Sequence, residues 1–570
     1  MSGQKKKKLG QQLVDAGLIS GSQLEEALAE HKKSDKKLGG ILVDKGWIEE
    51  EQLLEFLSRQ MGYPVVNLDR YPIQKNALNQ LTEKQARQYD AVPILIEEGQ
   101  LTVAMKDPLD VVAIDDLEQV TGMEIEPVIS RGSQIDDYIR RCYSGESGGL
   151  ENKRVVVKSP GPAEGLDLTE EREESGQKPA VNLANHIICD ALEEGATNIH
   201  LEPRPHQMQI QFRIDGVVDE YTQLPARLHQ PILSRLKLMA EKSLDKAENG
   251  EGFPIIRLDY SGEDVILRLN TIQTRFGEKM MVKVCRGQNY QRGLTDLGFD
   301  VSALTLLEDM LSAPRGLLIY TGPAASGRTT SLYASLRYFA GTPNSIITVE
   351  TPIEYELDFC TQIEVSTRKP KGQADKVYEA LEQDPDIMMV SQMGEPAVAR
   401  ATLYAAATGC KVFSSYYSDN AVDALYHLAN TEDVDRYQLA NSVNGVVAQR
   451  LVRLIDPRCR EEYTPSRSER ERLGLSSDDQ CFRPNPPNEN ISGYKGMTGI
   501  FQVLPMTDAL RFCILEDKPY KAYQEAAQEI KLPSLREKGV QKIKSGATSV
   551  EEVLRCTFRE DFINSLSISR

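Results

Sequence analysis

Between residues 8 and 60 the apolar positions follow one rhythm twice. In KLGQQLVDAGLISGSQLEEALAEH (8–31) they recur three and four residues apart, stop at Gly17 and resume with Leu24 and Leu28. KLGGILVDKGWIEEEQLLEFLSRQ (37–60), shifted by 29 residues, repeats this with Gly46, Leu53 and Leu57. Such spacing gathers apolar side chains on one helix face, and a glycine between two such stretches ends the first. Each unit predicts helix, turn, helix, and residues 1–65 a small helical repeat domain. The leucines then read as core and the glycines as helix ends; a ligand clamp made by the two halves is the alternative.

From 66 to 143 the rhythm shortens to strand-like runs such as AVPILIEEGQLTVAMKD between helical stretches, predicting a small α/β subdomain. Residues 144–177 are rich in Gly, Glu, Ser and Pro without a sustained apolar period, which predicts a flexible linker whose two sides move independently. Residues 178–290 open on an amphipathic helix, turn at Gly195 and continue as strands around Asp215-Gly216, an α+β domain. Residues 291–455 alternate apolar strands (GLLIYT, SIITVE, DIMMV, GCKVFSSYY) with helical stretches, as a parallel sheet does, and 456–570 form a C-terminal region. The fold class is therefore multidomain α/β.

A chain of 570 residues is too long for one core. Its net charge of -18 excludes a general nucleic-acid coat, although MSGQKKKKLG is locally basic and reads as a solvated tail or a contact for phosphates or acidic lipid. No run is apolar enough for a membrane span or signal peptide, so a cytoplasmic protein is expected, meeting a membrane only through partners. Nine cysteines without a CxxC pair fit reduced thiols.

TGPAASGRTT (321–330) lies between an apolar strand and a helix. Gly322 and Gly327 have the spacing of a phosphate-binding loop and Thr329 supplies its hydroxyl, but Arg328 stands at the lysine position. GATNIHLEP, FRIDG, FGEKMMVKV, ITVETPIEY, QDPDIMMV and VNGVVAQRLVR accompany it. From about residue 179 onward the chain resembles the type II secretion and type IV pilus assembly ATPases, hexameric motors. That resemblance implies a PAS-like domain over 178–290 and a RecA-like P-loop domain over 291–455. It assigns ATP or ADP with magnesium to Gly322, Ser326, Gly327, Arg328, Thr329, Thr330, Glu350 and Arg213.

Against the family pattern several chemical positions differ. GEIRD has become Ser391, Gln392, Met393, Gly394, Glu395, and neutral Gln392 is neither a base nor an anionic magnesium ligand. The acid of ASDIHIEP is Asn198, with His200 and Glu202 kept; the acid of VEDPIEY is Thr351; the histidine of STLHT is Tyr417; and Ala325 replaces a loop glycine. Arg328, Gln392, Asn198 and Tyr417 together predict lost or very weak hydrolysis, hence a pseudo-ATPase paralogue acting as scaffold or regulator. The other reading is a divergent active hexameric ATPase powering pilus assembly or secretion. Implied partners are an active motor ATPase paralogue and an inner-membrane platform protein, with no nucleic acid.

The family's two CxxC pairs are also reduced: Cys459 remains, Asp456, Pro486 and Glu489 occupy the other positions, and Cys481 is displaced, so no zinc is expected. The N-terminal repeat resembles the tandem-motif domain that binds cyclic di-GMP in such motors. Lys8, Leu9, Gly10 and Gly17 match one half; Lys37, Leu38, Gly39, Gly46 and Gln60 match the other, with lysines for the usual arginines and His31 for the first closing glutamine.

Overall fold

The computed structural model describes residues 9–31, 38–71, 73–97, 99–143, 155–157, 166–167, 179–240, 254–365, 371–486 and 492–558. The chain divides into two units: Met1–Met239 with Leu258–Ser261 and Leu269–Lys283, and Ala240–Arg257 with Gly262–Arg268 and Val284–Arg570.

In the first unit the repeat becomes helices α1 (Leu9–Asp15), α2 (Gly21–His31), α3 (Leu38–Asp44) and α4 (Glu50–Met61). The two turns match bond for bond. Gly17 N–H donates to Val14 O at 2.9 Å and Leu18 N–H to Leu13 O at 3.1 Å; Gly46 donates to Val43 at 2.8 Å and Trp47 to Leu42 at 3.1 Å. Gly17 and Gly46 have φ of 74° and 65°, the left-handed conformation that lets these helix ends close. Leu13, Ala27, Ile41, Leu42 and Leu57 form the core between the halves.

The next subdomain is a three-stranded sheet of β1 (Ala91–Glu97), β2 (Gln100–Met105) and β3 (Glu124–Ile129). The stretch expected to be linker contributes two short strands, β4 (Val155–Val157) and β5 (Leu166–Asp167). β4 pairs antiparallel with Leu258, Asp259 and Tyr260 of β9 (Ile255–Tyr260). Three successive valines favour an extended backbone strongly enough to pair, which the polar average around them concealed. The rest of 144–177 lies outside the described residues.

Beyond it come β6 (Asn198–Pro203), β7 (Gln207–Ile214), β8 (Val217–Pro225), β10 (Glu263–Thr274) and β11 (Gly277–Arg286). Strand β6 runs antiparallel to both β7 and β11, and β7 to β8. This layer is not independent of the N-terminal subdomains. Ser58 Oγ donates to the Oε1 atoms of Gln207 and Gln223, each at 3.2 Å, and Val65 N–H donates to Gln223 Oε1 at 2.9 Å. Arg227 pairs with Glu97 and, at 2.8 Å, with Glu126, and donates to Thr102 Oγ1 at 2.8 Å. Across this junction the polar side chains satisfy one another inside one unit.

The second unit is built on a seven-stranded sheet. Its strands are β12 (Gly316–Thr321), β13 (Ile346–Glu350), β14 (Thr361–Glu364), β15 (Ile387–Val390), β16 (Lys411–Tyr416), β17 (Val443–Ile455) and β20 (Tyr494–Pro505). The order is β14-β13-β15-β16-β12-β17-β20, parallel except for the last pair. Both faces are covered: Leu317 and Ile319 join the core on one side, Leu318 and Tyr320 the core on the other. Because β20 completes this sheet, the boundary expected at 455/456 does not divide it. A separate pair, β18 (Arg460–Tyr463) and β19 (Cys481–Pro484), lies between β17 and β20 in the chain.

The helix Val550–Cys556 is fastened to β17 by Glu552, fully buried, which accepts from Arg453 at 2.6 Å and from Arg555 at 2.8 Å. Burial alone would raise this carboxyl, but the bonds from Arg555 and Arg453 outweigh it and hold it down to about 2. The folded value lies below the unfolded one, so this stabilisation is present above the ordinary value of 4.5 and is lost as pH falls towards 2. Glu552→Gln is expected to lower stability at neutral pH by about 3 kcal/mol and to flatten the acid limb, measured by denaturant melts at stepped pH.

Candidate functional site

Strand β12 ends beneath the loop at 322–327, and the helix Arg328–Arg337 begins directly after it. At Gly322 an added Cβ would lie 2.5 Å from Ser326 Oγ and 2.6 Å from Gln449 O, so only glycine lets the loop turn back this tightly. Gln449 Nε2 donates to Ser326 O at 2.7 Å, pinning the loop from the neighbouring strand β17. Thr321 Oγ1 donates to Tyr416 O at 2.9 Å, tying the other side to β16. Ser326 is buried, yet its Oγ has no hydrogen-bond partner among the described residues. A cradle that a Cβ would fill, a helix N-terminus and an unpartnered buried hydroxyl fit a phosphate group. A cavity of about 530 Å³ opens beside it, lined by Pro323, Tyr417, Asn420, Arg450 and Phe558 among others.

Arg328, the residue at the lysine position, has its guanidinium carbon 3.7 Å from the centroid of the Tyr417 ring. Strands β12 and β16 are parallel neighbours, Thr321 opposite Tyr416, which brings residue 417 to the mouth of the loop. Two departures from the family pattern are thus one contact, worth about 1 kcal/mol at a partly exposed site. Arg328 Nη1 is buried without a hydrogen-bond partner among the described residues.

A second pair lies at the end of β15. Ser391 is fixed there by Ser415 Oγ, which donates to its carbonyl at 2.6 Å. A Cβ on Gly394 would lie 2.8 Å from Gln392 Nε2, so the side chain of the family pattern at 394 is replaced by room for the Gln392 amide. Glu395 is exposed at the start of the helix Pro396–Ala407 and makes no side-chain cap bond.

Glu350, at the end of β13, is buried. It accepts from Tyr333 OH at 2.5 Å, Thr348 Oγ1 at 2.7 Å and Gln362 Nε2 at 2.9 Å. Burial raises its carboxyl above the ordinary range, with the three donors opposing it, and burial together with Glu350 pushes the Tyr333 phenol far above the ordinary tyrosine value. This carboxylate thereby holds the Tyr333 hydroxyl of the loop helix.

Asn198, Arg213 and His200 belong to the first unit. Asn198 pairs with Arg213 across β6 and β7, and its side chain accepts from Thr197 Oγ1 at 3.1 Å. Arg213 Nη1 donates to Gly216 O at 2.8 Å. Burial, then Lys279 and Arg213, hold His200 below its ordinary value. In the repeat, a Cβ on Gly10 would lie 2.3 Å from Leu24 Cδ1 and one on Gly39 3.1 Å from Leu53 Cδ2: both glycines admit a leucine of the following helix. Leu9 and Leu38 are half-buried beside them. Lys8 and Lys37 lie outside the described residues, as does the side chain of Gln60 in α4.

At the reduced cysteine positions Cys459 and Cys481 are buried, and Asp456 is bound by Arg458 at 2.7 Å, whose bonds hold the carboxyl down to about 2. Arg460 lies over Phe482 at 3.5 Å. Among the described residues no three His, Cys, Asp or Glu side chains converge as metal ligands; Glu489 lies outside them.

Comparison with known proteins decides the family. The family model described as Type II/IV secretion system protein matches residues 173–555, and the MshEN domain model matches 61–149. The chain belongs to the type II/IV secretion system protein family. It is 31% identical to the type IV pilus assembly ATPase PilB of Myxococcus xanthus, over 97% of this chain and 100% of that one. It is 30% identical to the type II secretion system protein E of Xanthomonas campestris, over 88% and 90%, and 29% to PilB of Pseudomonas aeruginosa, over 96% and 98%. Its relatives are thus pilus assembly and secretion ATPases, components of such machines. No helix among the described residues is long and apolar enough to cross a membrane.

Sequence reasoning singled out Arg328 and Tyr417 separately and missed their contact, as it missed Gln449 and Tyr333. Adjacency of the strands that end at 321 and 416 was the missing information. It did single out Ala325, whose φ of 60° is the left-handed conformation disfavoured for alanine. Ala325→Gly is expected to stabilise the protein by about 0.5–1 kcal/mol, read from thermal and denaturant unfolding, whereas Ala325→Val destabilises it.

Proposed function

We propose that this member of the secretion and pilus motor family holds ATP or ADP without turning it over efficiently. On this reading it serves as scaffold or regulator beside an active motor ATPase and an inner-membrane platform protein, on the cytoplasmic side. The observation that carries the proposal is the Arg328 guanidinium at 3.7 Å over Tyr417. A compact ammonium at that position reaches the terminal phosphates as a mobile point charge; a planar guanidinium bound to a ring follows a transferring phosphoryl group less well. Thr329 and Thr330 keep hydroxyls at the start of the loop helix, and the 530 Å³ cavity beside Pro323 offers room for a nucleoside. Gln392 brings no charge to metal or water, and Glu350 is engaged by three donors.

The divergent active motor is the second reading, and the retained Thr329 and Thr330 hydroxyls at the start of the loop helix favour it. Steady-state phosphate release separates the two. The protein with magnesium and ATP is expected to show none above background, and Arg328→Lys alone not to restore it, because position 392 stays neutral. Robust release that vanishes in Thr329→Ala overturns the proposal.

The N-terminal repeat is proposed to bind cyclic di-GMP through Lys8, Leu9, Gly10 and Gly17 with Lys37, Leu38, Gly39, Gly46 and Gln60. The support is the bond-for-bond match of the two turns; the MshEN match covers the residues that follow, 61–149. Gly10 packs on Leu24, so a bulky change there tests folding; the lysines are the cleaner probes. In calorimetry on the full chain, cyclic di-GMP is expected to bind, and Lys8→Ala with Lys37→Ala to weaken it by about tenfold or more. No heat and no thermal shift at saturating ligand reduce the repeat to a structural bundle.

A further inference from the structure

We propose that Tyr417 is a positioning residue for phosphate recognition in this chain: it fixes the Arg328 guanidinium as a one-sided anion receptor above the loop. This rests on the reading that the loop holds nucleotide. A guanidinium has two flat faces and an edge of N–H donors. In this protein the Tyr417 ring takes one face, at 3.7 Å, so the side chain cannot swing freely about its stem. Its edge is left with a buried Nη1 that finds no hydrogen-bond partner among the described residues. Leaving a charged donor buried and unsatisfied is costly, and an oxyanion beside it removes that cost.

A second unpartnered polar atom lies in the same loop: Ser326 Oγ, on a residue 3% exposed. The two flank Gly327, whose φ of 87° turns the backbone from the loop into the helix. A guanidinium N–H, a hydroxyl and the first turn of a helix thus come from consecutive residues of one loop, donors of the kind that hold the di- or triphosphate of a nucleotide. The ring has a further consequence. Tyr417 is about half exposed, with a relative exposure of 49%, and also lines the 530 Å³ cavity, so one ring both carries the phosphate receptor and forms the wall beside it. The aromatic face, not the phenol oxygen, does this: cation–π attraction is kept by phenylalanine and lost with alanine.

The test is ADP binding with magnesium, by calorimetry on the full-length protein, in wild type, Tyr417→Phe, Tyr417→Ala, Arg328→Ala and the double alanine variant. Unfolding midpoints without ligand establish that each variant folds. Wild type is expected to bind, Tyr417→Phe to match it within about twofold, and Tyr417→Ala to weaken it about fivefold to tenfold. In the Arg328→Ala background, Tyr417→Ala is expected to add nothing, since it acts through the arginine. If wild type binds ADP and Tyr417→Ala binds equally well, or its loss adds in full to that of Arg328→Ala, the positioning role is overturned while nucleotide binding stands. If wild type does not bind, the nucleotide reading fails and this inference with it.

Discussion

The contact between Arg328 and Tyr417 sets the character of the loop at the end of β12. It arises from topology: a parallel sheet that seats β16 beside β12 delivers the residue after one strand to the loop after the other. Apart from Ala325, held at a φ of 60° where the family pattern has glycine, the scaffold keeps the parts a phosphate loop needs. The backbone turn at Gly322, the pin from Gln449 and the helix that follows are in place. What differs is the kind of positive charge and what it leans on. A cation stacked on an aromatic ring gains about 1 kcal/mol from the ring and gives up mobility in return.

Four of the changed chemical positions form two touching pairs. Arg328 meets Tyr417, and the Gln392 amide occupies the place a side chain on Gly394 would need. Paired substitution is what packing demands: a wider group at one position is accommodated only when its neighbour changes too. It also accounts for why the fold persists around altered chemistry. Glu350 shows the complementary case, a retained carboxylate whose three donors make it part of the core around Tyr333.

Much of this architecture is legible in the chain because its signals are local. The repeat at 8–60 announces two identical helix ends, and the strands before Gly322 and before Ser391 are continuous apolar runs. What escaped is long-range. The docking of Gln207, Gln223 and Arg227 onto the N-terminal subdomains depends on polar side chains far apart in sequence, and no periodicity encodes it. The valines at 155–157 were averaged away by their polar neighbours. At the site, each altered residue was visible, but which altered residues touch was decided by strand order.

The proposed function requires nucleotide to be held and not cleaved. The most direct measurement is a single-turnover one: full-length protein is loaded with γ-phosphate-labelled ATP and magnesium, separated from free nucleotide, incubated and quenched. A protein that holds nucleotide without cleaving it keeps the label, recovered as ATP after many minutes. Recovery of ADP and free phosphate on the time scale of seconds would contradict that function.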